Sequence, residues 1–515
     1  SDSLINNFSR IKIACLPQSD VEHLLNQCSQ AVEYWIEKCK TGKNKGNHHV
    51  ITKLRVFIEV LARVSVRATP EQAKKIFRLA LSLGRVNELH HFWLFDALKH
   101  LIEFSLESIP KSEHSEILLE ALMFPLASEI ETVGPKEWIN PIIENPGNRE
   151  QNSAIDRRID EIIDRISPCS SQSAPSLLRL LPLIENNFLT ESEKNKIADQ
   201  IWGADPDYQK LPNTGLYFYS LLKIPSRDVL SSNNLVRETL FNANDKQLLE
   251  QSHLSNIINA ARAKNINELP SPEQAIRYFN ILISWEAKKH DNDMLGLKEN
   301  EELRRIELIG HALAYSVLPS LPLSELTEDN FKRLISFYND NGNATEVLVA
   351  LAYFSAANDA FTERLENLYK KTLQSKDIDK VVCTSYAIYT WMKLNKSSAV
   401  ERLTVRLIYL IEPNRMAYLH GLLWTVNEMY CSEYLSNRDI EFLVDILPVI
   451  FDSATYTDIN PASKESVSIS LVRAACVRLA KDILTISHSE NKELYRIINE
   501  AKLDPLPEVR FANID

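Results

Sequence analysis

Glycine is scarce in this sequence, with 11 glycines among 515 residues, about 2% where roughly 7% is usual. Enzymes built on sheets use glycine in tight turns, bulges and phosphate-binding loops, so this scarcity argues against them. It favours helices joined by short turns. The hydrophobic fraction of 44% and the charged fraction of 25% are those of a folded protein rather than a disordered one.

Paired cysteines and long apolar runs are also missing. The seven cysteines are scattered and form no C-x-x-C pair, which favours reduced thiols in a cytoplasmic protein over disulfides or a zinc site. The longest charge-free stretch, 308–324, contains His311, Pro319 and Pro322, so it makes a poor membrane span. We therefore expect a cytoplasmic protein without membrane contact.

Motifs that carry catalysis are absent. The sequence contains no G-x-G-x-x-G, no G-x-x-x-x-G-K and no G-x-S-x-G, so a dinucleotide fold, a P-loop and a nucleophile elbow are not indicated. A calcium-like loop runs from Asp291 to Glu302, but Leu295 stands where a third oxygen ligand is needed. A polar turn explains this loop better than a calcium site.

Four potential metal ligands lie close together at His90, His91, Asp96 and His100. They do not match the H-E-x-x-H spacing of zinc enzymes, and aromatic neighbours favour packing on a half-buried helix. We predict no enzymatic activity, no cofactor and no metal site in this chain.

Apolar residues recur at helical spacing along almost the whole chain, as in the stripe Ile51, Leu54, Ile58 and Leu61. Helix starts are marked by four pairs with capping-box spacing: Ser19–Glu22, Thr69–Gln72, Thr190–Glu193 and Ser271–Gln274. The pattern predicts helices at 19–39, 49–67, 70–83, 87–107, 113–124, 150–166, 175–187, 191–202, 246–263, 272–289, 299–317, 328–339, 344–356, 359–374, 377–393, 397–411, 414–430, 437–452, 463–486 and 490–502.

The predicted helix centres lie about 20 residues apart, so a helix pair recurs roughly every 40 residues, as in HEAT-type repeats. No repeat consensus is visible in the residues. A helical hairpin buries only one side by itself, so neighbouring hairpins must stack. We therefore predict an all-α fold, an α-solenoid of stacked helical hairpins with irregular HEAT-like repeats.

The chain is expected to have three parts. Residues 1–130 form an N-terminal basic helical lobe, 131–245 an irregular helical middle segment, and 246–515 a C-terminal helical-repeat lobe. The middle part contains a loop at 130–152 and the least helical stretch, 203–245.

Charge is distributed unevenly. The range 38–99 holds thirteen Lys and Arg against four acidic residues, while the whole chain has a net charge of −11. Such a surface suits an acidic protein, a nucleic-acid backbone, or simple solvation that balances the acidic remainder. The candidate partner-binding side chains are Lys53, Arg55, Arg63, Arg67, Lys74, Lys75, Arg78 and Arg85.

One stretch resembles a known family. The segments 197–203 (IADQIWG), 211–217 (LPNTGLY) and 221–225 (LLKIP) are similar to part of the helical region that follows the sirtuin-like domain in some bacterial antiphage defence proteins. The resemblance covers about thirty residues. It implies that this chain is the helical, sensing portion of such a protein, and that an NAD-consuming effector domain would lie outside it.

Three functions follow as hypotheses. The first is a non-enzymatic helical-repeat scaffold that binds a protein, such as a phage protein or the missing effector domain, as the sensor or regulatory part of a defence protein. The second is a nucleic-acid-binding helical repeat that uses the basic range 38–99. The third is a cytosolic adaptor unrelated to defence. The sequence leaves the oligomeric state open.

Overall fold

The computed structural model describes residues 10–40, 48–84, 92–110, 113, 117, 153–164, 180, 183, 189–202, 241–262, 270–286, 297–342, 344–456, 464–487 and 491–512. Every regular element within these ranges is helical, and they contain no strand. The predicted all-α class is confirmed. Among the described helices, none combines the length and the apolar character needed to cross a lipid bilayer.

The α-helices are named in chain order. They are α1 (Arg10–Cys15), α2 (Gln18–Lys40), α3 (His48–Ser65), α4 (Pro70–Gly84), α5 (Phe92–Glu107), α6 (Ser153–Ile163), α7 (Glu191–Trp202), α8 (Asp245–Leu248), α9 (Gln251–Arg262), α10 (Pro272–Ile283), α11 (Leu297–Ala312), α12 (Glu328–Asp340), α13 (Val347–Ala352), α14 (Thr362–Thr372), α15 (Ile378–Leu394), α16 (Ser398–Ile408), α17 (Met416–Cys431), α18 (Asn437–Ser453), α19 (Lys464–Ser487), α20 (Lys492–Ala501) and α21 (Pro507–Arg510).

The described helices follow the predicted ones closely, and the differences have local causes. Three of the four predicted capping boxes form, at Thr69, Thr190 and Ser271. The prediction at Ser19 is wrong because α2 already begins at Gln18, which places Ser19 inside the helix. The predicted helices 113–124 and 175–187 lie almost entirely outside the described residues.

Two predicted helices are shorter or divided. The range 246–263 contains two helices, because a capping box at Asn244 starts α8 and Leu249 ends it. The helix predicted at 299–317 changes to a wider π turn at Leu313–Val317. Pro319 follows immediately, and its missing N–H interrupts the regular hydrogen-bond ladder.

The chain divides into two compact units. The first comprises Ser1–Arg227, Thr455–Ala474 and Asn499–Asp515, and the second comprises Asp228–Ala454 and Ala475–Ile498. The sequence pattern does not indicate that residues near the C-terminus belong to the first unit. The three-part division at 130 and 245 stays a prediction.

In the first unit, α3 packs against α2 and α5, and α5 also packs against α4. The predicted apolar stripe of α3 is buried throughout, with Leu54, Ile58 and Leu61 fully inaccessible to solvent. Burial of such side chains stabilises the unit by about 1.5–3 kcal/mol each.

Residues from both ends of the chain meet in the first unit. Arg10 donates to both carboxylate oxygens of Glu107, at 2.6 and 2.7 Å, and to Glu508 at 2.9 Å. Beneath these ion pairs, Ile13 and Leu506 belong to one buried apolar cluster. The C-terminal segment is therefore a structural part of this unit.

A buried carboxylate anchors the same segment. Asp504 accepts hydrogen bonds from the Tyr456 hydroxyl at 2.6 Å and from Arg473 Nε at 2.8 Å. Arg510 donates to the backbone carbonyl of Val66 at 3.1 Å. These bonds fix residues that lie far apart in sequence, and removing one partner of a buried charge is costly.

The second unit is a stack of helical hairpins in two rows. Helices α9, α11, α13, α15 and α17 form one row, in which each helix packs against the next member, and we call it the odd row. The even row is formed by α10, α12, α14, α16 and α18. Consecutive helices alternate between the rows, which is the α-solenoid arrangement predicted from the sequence.

Helices α15 and α17 of the odd row approach each other closely at Gly421. A Cβ atom at Gly421 would lie 2.6 Å from Cγ1 of Val382, so only glycine allows this spacing. One turn further, the buried hydroxyls of Ser385 and Thr425 form a hydrogen bond of 3.0 Å between the two helices. We call this contact the α15–α17 seam.

The even row is joined by ion pairs. Glu366 of α14 is nearly buried, with 8% of its side chain exposed, and it contacts Arg402 of α16 at 2.7 Å and Lys370 at 2.6 Å. The hydrogen bond from Arg402, with Lys370 adding to it, lowers the pKa of Glu366 to about 2.

We expect Gly421→Ala to destabilise the second unit by about 1–2 kcal/mol, because overpacking exceeds the gain in helix propensity. Val382→Ala in the same chain should restore much of that loss by removing the clashing methyl groups. Hydrogen exchange of α15 and α17 measures both effects. A Gly421→Ala variant with wild-type protection would contradict this account of the seam.

We expect Glu366→Gln to destabilise the second unit by about 1–3 kcal/mol at neutral pH, because two cations lose their carboxylate. A lowered folded-state pKa stabilises the fold above the ordinary value of 4.5, and this stabilisation is lost as the pH falls toward 2. The difference from wild type in urea titrations should therefore shrink on acidification. Glu363→Gln, which changes an exposed acid of α14, serves as control and should have little effect.

Candidate functional site

Seven of the eight predicted partner-binding cations lie on α3 and α4 or in the turn between them, and one of them has a structural role. The Arg67 guanidinium donates to the carbonyl oxygens of Ile13, at 2.9 Å, and of Leu16. It also contacts the side chain of Gln18 at 3.1 Å. Arg67 therefore holds the turn between α1 and α2.

Two more of these cations have acidic neighbours within the first unit. Lys74 pairs with Glu113 at 2.5 Å, and Arg63 lies 3.8 Å from Glu59. Glu59 is buried and also contacts His100 at 3.2 Å. The hydrogen bond with Glu59 raises the pKa of His100, so this histidine belongs to an ion-pair cluster.

The remaining members of the basic set differ in exposure. Lys53, Lys75 and Arg78 are exposed, and Arg55 is half-buried. Arg85 lies outside the described residues, as do His90, His91 and the calcium-like loop before Leu297. The structure does not decide whether the basic set binds a partner, and this stays a prediction.

A cavity in the second unit offers a better-defined site. Its volume is about 360 Å³, and it lies between α11, the turn before α13 and the first turn of α15. We call it the acidic pocket, because four carboxylates line it. Its lining residues are Glu307, His311, Gly342, Thr345, Glu346, Asp377, Asp379, Val382 and Cys383.

Local folding rules place these side chains. Asp377 is the N-cap of α15 and accepts hydrogen bonds from the backbone N–H groups of Asp379 and Lys380. Residues 379, 382, 383 and 386 are spaced three and four apart, so they share one face of α15. On α11, Glu307 and His311 share a face in the same way.

The pocket is lined by four carboxylates and one histidine. His311 Nε2 lies 3.6 Å from Glu346 Oε1, and 15% of the Glu346 side chain is exposed. Burial raises the pKa of Glu346, and the nearby Glu307 adds to this while His311 opposes it. Outside the lining, Lys380 lies 3.8 Å from Asp377. The described lining contains no lysine or arginine.

An aromatic row continues from the pocket across the odd row of helices. The His311 ring lies 5.8 Å from that of Tyr315, the Tyr315 ring 6.1 Å from that of Tyr386, and Tyr386 stacks on Trp424 at 5.9 Å. Trp424 is 46% exposed and the two tyrosines are half-buried. The α15–α17 seam sets the distance between Tyr386 and Trp424.

The chemistry of the pocket follows from its thiol, its carboxylates and the neighbouring rings. Burial raises the pKa of Cys383 to about 12, so its thiol is rarely ionised and makes a poor nucleophile. Among the described residues, no group of three or more His, Cys, Asp and Glu side chains is arranged to hold a metal ion. Carboxylates beside exposed aromatic rings are suited to a cationic ligand.

The acidic pocket is not apparent from the sequence. Its lining comes from three stretches, 307–311, 342–346 and 377–383, and only the fold brings them together. The basic range 38–99 was identified because its charges are consecutive in sequence. The sequence feature that indicates this pocket is the spacing of Asp379, Cys383 and Tyr386, which places them on one helix face.

No family model matches the chain, and no curated protein matches it. Among solved structures, it is similar to a chain in a structure of Kap95p bound to RanGDP, with 12% identity and a TM-score of 0.31, over 100% of this chain and 72% of that one. It is also similar to an engineered protein, with 12% identity and a TM-score of 0.23, over 94% and 97%. Both scores are low, so the solenoid assignment rests on the helix packing of the second unit.

Proposed function

We propose that the chain is a protein-interaction scaffold that binds a segment of a partner protein on the odd row of its second unit. The aromatic row of Tyr315, Tyr386 and Trp424 carries this proposal. Tryptophan and tyrosine provide much of the binding energy at protein interfaces, and in this row Trp424 is exposed while Tyr315 and Tyr386 are half-buried. Here the rings contact one another and are carried by packed helices, so their side chains lose little conformational entropy when a partner binds.

The helical architecture supports the same function. A stack of hairpins presents side chains of successive helices along an extended surface, which suits an elongated partner segment. The chain itself is proposed to catalyse no reaction. For the acidic pocket, the high pKa of Cys383 argues against a role of this thiol as a nucleophile.

A defence role is a further extension of the proposal. The resemblance of 197–225 to antiphage proteins would make the partner a phage protein or an effector domain. Most of that segment, 203–225, lies outside the described residues, and neither the family models nor the curated proteins support it. The extension rests on the sequence resemblance alone.

We expect Tyr386→Ala with Trp424→Ala to reduce partner capture at least tenfold, since each ring contributes about 1–2 kcal/mol or more at such a surface. The immobilised full chain would be incubated with extract of its source cells, and bound proteins quantified by mass spectrometry. Tyr409→Ala is the matched control, because Tyr409 is 49% exposed and follows α16 of the even row. A partner retained equally by all variants, or none retained by wild type, would refute the proposal.

Nucleic-acid binding is the second candidate, favoured by the exposed cations Lys53, Lys75 and Arg78. It predicts affinity that falls steeply with salt and drops when these three residues are changed to glutamate. Arg67 and Lys74 are unsuitable for this test, because their charge reversal would also break contacts within the first unit. Binding that is absent or insensitive to salt in an electrophoretic mobility assay would exclude the candidate.

A further inference from the structure

The charge of the acidic pocket indicates what kind of group it binds. Glu307, Glu346, Asp377 and Asp379 line a cavity of about 360 Å³, which is at the small end of ligand pockets. A cavity of this size holds one or two side chains rather than a folded domain. The described lining has four carboxylates and one histidine but no lysine or arginine, so it favours a ligand that brings positive charge.

Glu346 has two long side-chain contacts in the pocket. His311 Nε2 lies 3.6 Å from one carboxylate oxygen, and the Thr345 hydroxyl donates to the other at 3.5 Å. Both distances are long for a strong hydrogen bond. A buried carboxylate without a close cation is unfavourable, and an ammonium or guanidinium group at hydrogen-bond distance would relieve this.

The aromatic row begins at the pocket and offers further contacts to a ligand that extends beyond it. His311 lines the pocket and contacts Tyr315, and Cys383 lies one turn before Tyr386 on α15. From Asp379 to Tyr386 the helix rises about 10 Å, at roughly 1.5 Å per residue. An extended peptide covers that distance in about three residues.

Resting on the proposed function, we propose that the partner segment is basic, and that a lysine or arginine side chain enters the acidic pocket. An apolar or aromatic residue about two to four positions away then contacts Tyr386 and Trp424. A small free cation could occupy the pocket, but it would make no use of the adjoining rings. The continuity of pocket and aromatic row therefore favours a peptide.

The test uses the full chain and short fluorescein-labelled peptides that combine one lysine or arginine with one tryptophan at varied spacing. Matched peptides carry glutamine or glutamate in place of the basic residue. We expect the basic peptides to bind at least tenfold more tightly in fluorescence anisotropy, with a preference for a spacing of about two to four residues. Equal binding of the glutamine peptides would overturn the proposal.

Variants of the protein test whether the basic peptides bind at the acidic pocket. We expect Glu346→Gln with Asp379→Asn to weaken basic-peptide binding at least tenfold. The control, Glu363→Gln with Glu401→Gln, makes the same change in net charge at two exposed positions of the even row and should leave binding unchanged. Equal weakening by both pairs would show attraction by overall charge and overturn the proposal. Circular dichroism confirms that all variants remain folded.

Two further outcomes separate this inference from the proposed function. Spermidine or lysine methyl ester that binds as tightly as the peptides would show a small-cation site and overturn peptide docking. A captured partner that depends on Tyr386 and Trp424 but is unaffected by the pocket variants would overturn the basic-segment inference. That second result would leave the interaction scaffold standing.

Discussion

The α15–α17 seam is the contact on which the proposed binding surface depends. Gly421 lets Val382 approach to a distance that no other residue would allow. The hydrogen bond between Ser385 and Thr425 fixes the register of the two helices. Only at this spacing and register does Tyr386 stack on Trp424. Gly421, the hydroxyl pair and the aromatic pair therefore lie along one contact between the two helices. The buried residues of this contact set the distance between the two partly exposed rings.

The two rows of the second unit serve different purposes. In the even row, Glu366 joins α14 to α16 through Arg402, and Glu328 joins α12 to α14 through Arg364 at 2.6 Å. These carboxylates are neutralised by neighbouring helices. In the odd row, the α15–α17 seam consists of an apolar contact and a hydroxyl hydrogen bond. The pocket carboxylates Glu346 and Asp377 have longer contacts, 3.6 Å to His311 and 3.8 Å to Lys380.

The helices and their order were predictable, because apolar periodicity and capping signals are local in sequence. Thr69, Thr190 and Ser271 cap helices as their spacing predicts. The return of the C-terminal segment to the first unit was not predictable, since the contacts of Glu508 with Arg10 and of Arg510 with Val66 join residues 498 and 444 positions apart. The acidic pocket was missed for the same reason. The carboxylates of the pocket belong to separate stretches of the sequence, so no local pattern predicts that they meet. The basic residues of 38–99 are close together in sequence, so their charge is apparent without the structure.

Glu366 and Glu346 differ in the surroundings of their carboxylates. The Glu366 carboxylate has a structural role, whereas the Glu346 carboxylate is suited to binding. Glu366 has two cations within 2.7 Å, and its pKa is lowered to about 2. Glu346 has one histidine at 3.6 Å, and burial raises its pKa. Both glutamates lie in the second unit. At Glu366 the fold places cations beside the carboxylate, and its ion pair with Arg402 joins neighbouring helices. Where it leaves a partly buried carboxylate without a close cation, beside an exposed aromatic row, the balancing charge is best supplied by a ligand.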